Sequence, residues 1–280
     1  MSTARPTIAS TAPQPLPQPD AEPERIGRLE RPALMGVLMR ELINYSSFWR
    51  SSAFSSIMEP VIYLLAFGFG IGALVDEVDG FRYLDFIATG TVGMSVMYSS
   101  AFPSMFSTFV KYKFQRTYDA ILAAPVDTEE VVTAEALWIG VRAGVYGCAP
   151  VIVAMFFGLD PSWGMFALPA ICFISGLGWS LFGITIAATL NSIDNFSYVM
   201  TGVLTPIMLT AGTFFPLTQL PDWAQVLAQA NPLFHCVELV RGAVFGWHGA
   251  IDLWHVGFLV AWALVLWRIA IRQMTRRLVD

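Results

Sequence analysis

Lysine is nearly absent: the 280 residues contain only Lys111 and Lys113. Neither follows a glycine-rich loop of the G-x-x-x-x-G-K type, which argues against a self-contained ATPase. Charge of either sign is scarce, at 13% of residues, about half the share of an ordinary soluble domain. Basic excess is missing too. Sixteen Lys+Arg against 21 Asp+Glu leave a net charge of -5, which excludes a partner that would be engaged through its phosphates, such as nucleic acid. Cys148, Cys172 and Cys236 are an odd number, widely spaced in apolar runs, and read as small buried hydrophobes rather than a disulfide or zinc framework. His235, His248 and His255 do not make a metal-ligand set. Residues 1–24 lack any aromatic side chain and are rich in Pro, Ala, Ser and Thr. Such a segment cannot bury enough apolar area to offset chain entropy, so residues 1–30 are expected to be a disordered tail.

What the chain does have is apolar surface: 55% of its residues are hydrophobic and the mean hydropathy is +0.59. A soluble surface of that composition would aggregate, so the expected solvent is a bilayer. Residues 31–50 place Leu34, Leu38, Leu42 and Tyr45 at helical spacing, with Arg31, Arg40, Glu41 and Arg50 on the polar side. That pattern predicts either an amphipathic helix lying in the membrane interface or a helix docked on its own domain. Apolar stretches follow at roughly 53–75, 86–110, 136–158, 166–190, 196–216 and 251–271, each near the ~20 residues that cross the hydrocarbon core. The fold class expected is therefore an all-α integral membrane protein with six spans, its membrane domain covering residues 51–277.

Basic residues set the orientation. Arg5, Arg25, Arg28, Arg31, Arg40 and Arg50 precede the first span, Lys111, Lys113 and Arg116 follow the second, and Arg268, Arg272, Arg276 and Arg277 end the chain. The opposite face has only Arg82 and Arg241, and its first loop is acidic. Both termini are expected in the cytoplasm. Glycines at 140, 144, 176 and 183 read as close-packing positions between spans.

Three regions depart from plain packing. In the loop after span two, residues 113–123 can form a short amphipathic helix stopped by Pro125, after which Asp127 and Glu130 have capping-box spacing. This loop is either a lever that docks a soluble partner or an ordinary interfacial connection. The segment 206–249 is too broken for one span and too apolar for an aqueous loop; it predicts two short helices dipping back into the outer leaflet, where Glu238 and Arg241 can pair at i, i+3. They form either a substrate gate with Phe214 and Phe215 or a structural plug. The third region is a pair of intramembrane charges, Glu59 beside Pro60 and Arg142 in span three. A charge at this depth costs about 2.5–3.5 kcal/mol on insertion scales and normally faces a partner or a wet path. The two are expected to line the mouth of a path for an anionic or zwitterionic lipid-linked substrate, with snorkelling of Arg142 as the other reading. Tyr98, Phe102 and Phe106 are further candidates for the path or for ordinary packing.

The run Glu59-Pro60-Val61-Ile62-Tyr63-Leu64-Leu65-Ala66-Phe67-Gly68-Phe69-Gly70-Ile71-Gly72, then Tyr83-Leu84-Asp85-Phe86-Ile87-Ala88, then Thr117-Tyr118-Asp119-Ala120-Ile121-Leu122-Ala123-Ala124-Pro125, resembles the type-2 ABC exporter permeases. Asn231-Pro232-Leu233 with Glu238 and Arg241 is similar to the same pattern. The likeness covers about residues 35–275 and is nearest the nodulation-protein-J-like, lipo-oligosaccharide permease group. It implies an interfacial helix, six spans, a cytoplasmic coupling helix after span two and re-entrant helices before span six. It also implies a non-enzymatic half-transporter of a bacterial inner membrane. That subunit would pair with a second copy of itself and with two copies of a separate ATPase that binds ATP and Mg, this chain binding no cofactor. Carried onto this chain, the ATPase-coupling residues are Phe114, Arg116, Tyr118, Asp119, Leu122 and Pro125. The substrate is an amphipathic glycolipid or lipo-oligosaccharide; a drug or antibiotic is the alternative within the superfamily. A membrane-embedded transferase would need convergent polar groups in the core, where only Glu59 and Arg142 stand out. A passive channel or scaffold would need no lever.

Overall fold

The computed structural model describes residues 30–279 except Asp76 and Leu220, without the side chain of Val279. The tail expected to be disordered, apart from Glu30, lies outside the described residues. The chain is mostly helical. Among the described residues, four helical stretches are long and apolar enough to cross a membrane: Trp49–Gly70, Thr128–Phe156, Trp163–Thr189 and Ala250–Leu278.

Helix α1 (Arg31–Ser46) begins on a proline at its first turn, where the missing N–H costs nothing. It ends earlier than the expected 31–50. Ser47 and Phe48 turn the chain, and Trp49 and Arg50 open α2 (Trp49–Gly70). The face that α1 buries also differs from expectation. Val37, Glu41 and Tyr45, four residues apart, face inward, while Leu42 and Ile43 are exposed. Glu41, assigned to the polar side, is buried because a cation waits for it there.

A two-strand hairpin, β1 (Glu77–Val78) and β2 (Phe81–Arg82), follows α2. Its turn is Asp79-Gly80, both at positive φ, the pair that a two-residue hairpin turn favours. Helix α3 (Tyr83–Lys113) is 31 residues long, about 46 Å at 1.5 Å per residue. It reaches far enough to cross a bilayer, yet it is too polar to be among the four. Thr89, Thr91, Ser95, Ser100, Ser104 and Thr108 are buried along it. Several of these hydroxyls are satisfied by the carbonyls of the preceding turn, as in Thr91 to Ile87 and Ser104 to Ala101. This is the central helix: α2 packs on it, and so does α7 (Leu168–Thr189). Its hydropathy is low because protein, rather than lipid, surrounds it.

Arg116 in left-handed conformation (φ 51°) breaks the chain after α3, and α4 (Thr117–Leu122) follows. The helix expected over 113–123 is thus six residues long. Helix α5 (Thr128–Tyr146) starts on the predicted capping box, the Asp127 amide donating to Glu130 at 2.9 Å. Gly147 and Cys148 interrupt it before α6 (Ala149–Phe156). The small-residue reading holds between α5 and α7: a Cβ on Gly144 would come 2.9 Å from the Pro169 carbonyl oxygen.

The stretch expected as span five forms a helix over residues 196–209 only. It comprises α8 (Phe196–Val199), a π-turn (Met200–Leu204) and α9 (Thr205–Leu209). Pro206 cannot donate to the ladder, and the wide turn immediately before it absorbs the mismatch. About 21 Å of helix is short of a bilayer. Helices α10 (Asp222–Ala228) and α11 (Pro232–Phe245) then form the expected pair of short helices. Asn231 fixes their junction: its Oδ1 accepts from the Leu233 amide at 2.9 Å, and its Nδ2 donates to the Ile207 carbonyl at 2.7 Å. Helix α12 (Ala250–Val279) closes the bundle, with Arg277 donating to the Leu190 carbonyl at 2.9 Å.

Candidate functional site

One face of α2 organises the cavities. Ser52, Ser56, Glu59, Tyr63, Phe67 and Ile71 recur at three to four residues and therefore stack along one side of the helix. A groove of about 370 Å³ at the α1 end is lined by Ser52, Ser56, Phe102, Phe106 and Arg142 among others. A second of about 340 Å³ adjoins it, lined by Glu59, Ser95, Tyr98 and Ser99, and shares Ser55, Ser56, Phe102 and Pro103 with the first. Beyond it, at the hairpin end, a cavity of about 590 Å³ is walled by Tyr63, Phe67, Phe214 and Phe215. The lining changes along this line from charged and hydroxyl groups to aromatic rings.

Glu59 and Arg142 thus occupy neighbouring compartments of one groove. Arg142 donates to Ser52 Oγ at 2.6 Å and lies over the Tyr45 ring at 4.7 Å. The Tyr45 hydroxyl in turn meets that of Tyr146 at 2.6 Å. Its Nε is buried without a hydrogen-bond partner, so the guanidinium is only partly satisfied by the protein around it.

Phe214 packs on Phe67, ring centroids 5.0 Å apart. Glu238 and Arg241 pair at 3.0 Å. Arg241 also donates to the Gly212 carbonyl at 2.6 Å and covers the Phe86 ring at 4.0 Å. It therefore ties α11 to the 210–213 turn and to α3. Gly212 sits at φ 73°, a conformation in which glycine is unstrained.

The α4 segment presents Phe114 and Arg116 outward, 66% and 80% exposed respectively, with Asp119 3.6 Å from Arg116. Pro125 is exposed and Leu122 half-buried. Tyr118 does the opposite. Expected among the docking residues, it is 1% exposed and donates to Glu135 at 2.8 Å. A side chain turned inward cannot touch a soluble partner; it anchors the segment instead. Glu135 also accepts from Lys111 at 2.9 Å, and Lys111 reaches Glu41 at 2.9 Å. Burial opposes the Lys111 charge, but the Glu135 and Glu41 carboxylates outweigh it and raise its pKa. Burial and the Glu135 carboxylate push the Tyr118 phenol well above the usual tyrosine range. In the sequence Lys111 bears on orientation and on the missing P-loop, and not on a buried ion pair. No local spacing links residues 41, 111 and 135.

His235 and His255 form another relationship that spacing does not reveal. Their Nδ1 atoms lie 2.6 Å apart between α11 and α12, and His235 Nε2 faces the Gln229 carbonyl at 2.8 Å. Among the described residues, no group of three His, Cys, Asp or Glu side chains could hold a metal ion. The three cysteines are buried and free.

Among the described residues the helical bundle has four stretches long and apolar enough to cross a membrane, a polar-to-aromatic series of cavities and an exposed loop helix, the architecture of a multi-pass membrane protein. The chain belongs to the ABC-2 type transporter family, whose model matches residues 32–245. It is 33% identical over 243 residues to "Nodulation protein J" of Sinorhizobium fredii, covering 85% of this chain and 92% of that protein. It is 32% identical over 235 residues to "Nodulation protein J" of Rhizobium leguminosarum bv. viciae, covering 82% and 90%. It is 30% identical over 245 residues to the "Inner membrane transport permease YadH" of Escherichia coli strain K12, covering 84% and 93%. It is a multi-pass membrane permease of that family.

Proposed function

We propose that this chain is the permease of an ATP-driven exporter that moves an amphipathic, sugar-bearing lipid out of the cytoplasm or the inner leaflet. The observation that carries the reading is the α2 stripe. Its Ser52-to-Glu59 part offers hydroxyls and charges to a polar head group, and its Tyr63-to-Ile71 part offers apolar rings to an acyl chain. Arg142, with its unpartnered Nε, is the group that meets the head group at the mouth.

In this reading α3 and residues 196–216 complete six crossings, the short 196–209 helix being continued by the protein-buried turn at 211–213, and both termini lie in the cytoplasm of a bacterial inner membrane. Two copies of the chain assemble with two copies of a separate ATPase. Phe114, Arg116 and Asp119 touch the ATPase, with Leu122 and Pro125 at the segment's end and Tyr118 holding it from within. ATP and Mg bind on the partner, whose closure displaces α4 and switches the groove between inward and outward access. The substrate biases that equilibrium by its different affinity for the two states. Glu238 and Arg241, with Phe214 and Phe215, close the outer end.

Affinity purification of the chain from its native membranes is expected to bring down a stoichiometric P-loop ATPase, and Arg116→Glu with Phe114→Ala to release it. In proteoliposomes, an acylated oligosaccharide fraction is expected to stimulate ATP hydrolysis. Stimulation by hydrophobic drugs alone would favour the efflux reading. Wild-type transport by Arg142→Ala at normal protein levels would remove the head-group role.

A further inference from the structure

Tyr118 is the fully buried residue of α4. Its ring lies in a cluster with Val37 of α1, Val131 and Val132 of α5 and Met274 of α12. Its hydroxyl continues the connection to Glu135 on α5, from there to Lys111 on α3, and from there to Glu41 on α1, at 2.8, 2.9 and 2.9 Å. The links span 17, 24 and 70 residues of sequence, so they join elements the backbone does not. Bonds of this kind, charged and shielded from water, are strong and directional.

One turn beyond Glu41, the same inward face of α1 carries Tyr45. That ring supports Arg142 at 4.7 Å, and its hydroxyl holds Tyr146 at 2.6 Å. Glu41, Tyr45 and Arg142 line the same groove. Lys111 and Glu135 line it as well, whereas Tyr118 does not, so the buried chain begins at the segment that faces outward and ends in the wall of the groove.

We propose that Glu41, Lys111, Tyr118 and Glu135 form a transmission node that makes α1 a driven element: displacement of α4 carries α1 with it and moves Tyr45 and Arg142 at the mouth of the groove. The proposal rests on the exporter reading and assigns α1 a part in it. An α1 that merely floats in the interface would need no buried carboxylate; one that must follow α4 needs a rigid link to it. Tyr118, which lies outside the groove lining, acts as a positioning residue, and the test is placed on it.

The test uses the chain together with its co-purified ATPase in proteoliposomes, with a fluorescently tagged acylated oligosaccharide as the transported probe. Tyr118→Phe removes one hydroxyl and keeps the ring in its cluster. It is expected to bind the ATPase and hydrolyse ATP within about two-fold of wild type, while transport per ATP falls at least about five-fold (roughly 1 kcal/mol of coupling). Spin labels at Leu42 and Phe106 are expected to report an ATP-dependent distance change that Tyr118→Phe abolishes. A purely structural role would lower hydrolysis, transport and protein yield together, and would overturn the node. So would a Tyr118→Phe protein that couples as well as wild type with the distance change intact. A wild-type chain that binds no ATPase overturns the exporter reading and the node with it, which sets that failure apart from failure of the node alone.

Discussion

The Lys111 ammonium lies 2.9 Å from Glu41 Oε1 and 2.9 Å from Glu135 Oε1, so one buried cation joins α1, α3 and α5. Desolvating three charged groups is costly, and the arrangement holds because each carboxylate meets a donor at hydrogen-bond distance and Tyr118 fills a further site on Glu135.

Removing the cation should therefore cost more than removing an anion. Lys111→Met leaves Glu135 buried without a cation and Glu41 with Arg40 alone, 3.2 Å away, and is expected to lower stability by about 3–5 kcal/mol. Lys111→Met combined with Glu135→Gln removes the carboxylate left without a cation and is expected to recover part of the loss. Thermal unfolding of the detergent-purified proteins, followed by monodispersity on size exclusion, checks the order.

The same node fixes the sign of an alkaline transition. Lys111 starts from 10.5 and Tyr118 from 10.0, and both are raised in the folded protein. A raised group contributes stability that is complete below its unfolded value and is lost as pH rises through its folded one. Melting temperature is expected to be insensitive to these two groups between about pH 6 and 9 and to fall above about pH 10. Tyr118→Phe should remove part of that fall. A melting curve measured from pH 6 to 11 for both proteins decides it.

At Gly183 of α7, a Cβ would collide with Ser104 Oγ and the Ala101 carbonyl of α3. Gly183→Leu is expected to separate α7 from the central helix and cost about 1–3 kcal/mol or prevent assembly. Gly202, with open space around its Cβ position, should accept alanine with little change in melting temperature. Parallel expression and melting of the two variants tests the contrast.

Asn231 caps α11 and anchors it to α9. Asn231→Ala is expected to cost about 0.5–2 kcal/mol through the lost cap, and more through the freed Ile207 carbonyl. Asn231→Asp keeps the cap but loses the donor to Ile207, so it should fall between the two. Hydrogen exchange in residues 222–245 should rise in the same order.

Much of the fold could be read from local pattern. The apolar stretches near 53–75, 136–158, 166–190 and 251–271 have counterparts in the four helical stretches long and apolar enough to span. The Asp127 and Glu130 spacing became a capping box, and Glu238 and Arg241 paired as i, i+3 neighbours on α11. Each of these depends on residues a turn or less apart, or on a run long enough to match the bilayer. Asp79-Gly80 is also a local hairpin signal, set within a loop whose acidic character alone is otherwise conspicuous. Readings failed where the deciding contact was remote. Glu41 looked like a solvent-facing charge and Tyr118 like a docking aromatic, because their partners lie 70 and 17 residues away.

Composition and periodicity by themselves determined the solvent, the helices and the elements that break, because these follow from transfer free energy and from backbone sterics within a few residues. Only the tertiary structure decided that α1 turns Glu41 inward, that Tyr118 is buried against Glu135, and that Ser52, Glu59 and Tyr63 each line a cavity along one side of α2. Those outcomes depend on which helix faces meet, and ion pairs and cavities form between surfaces that no single helix encodes.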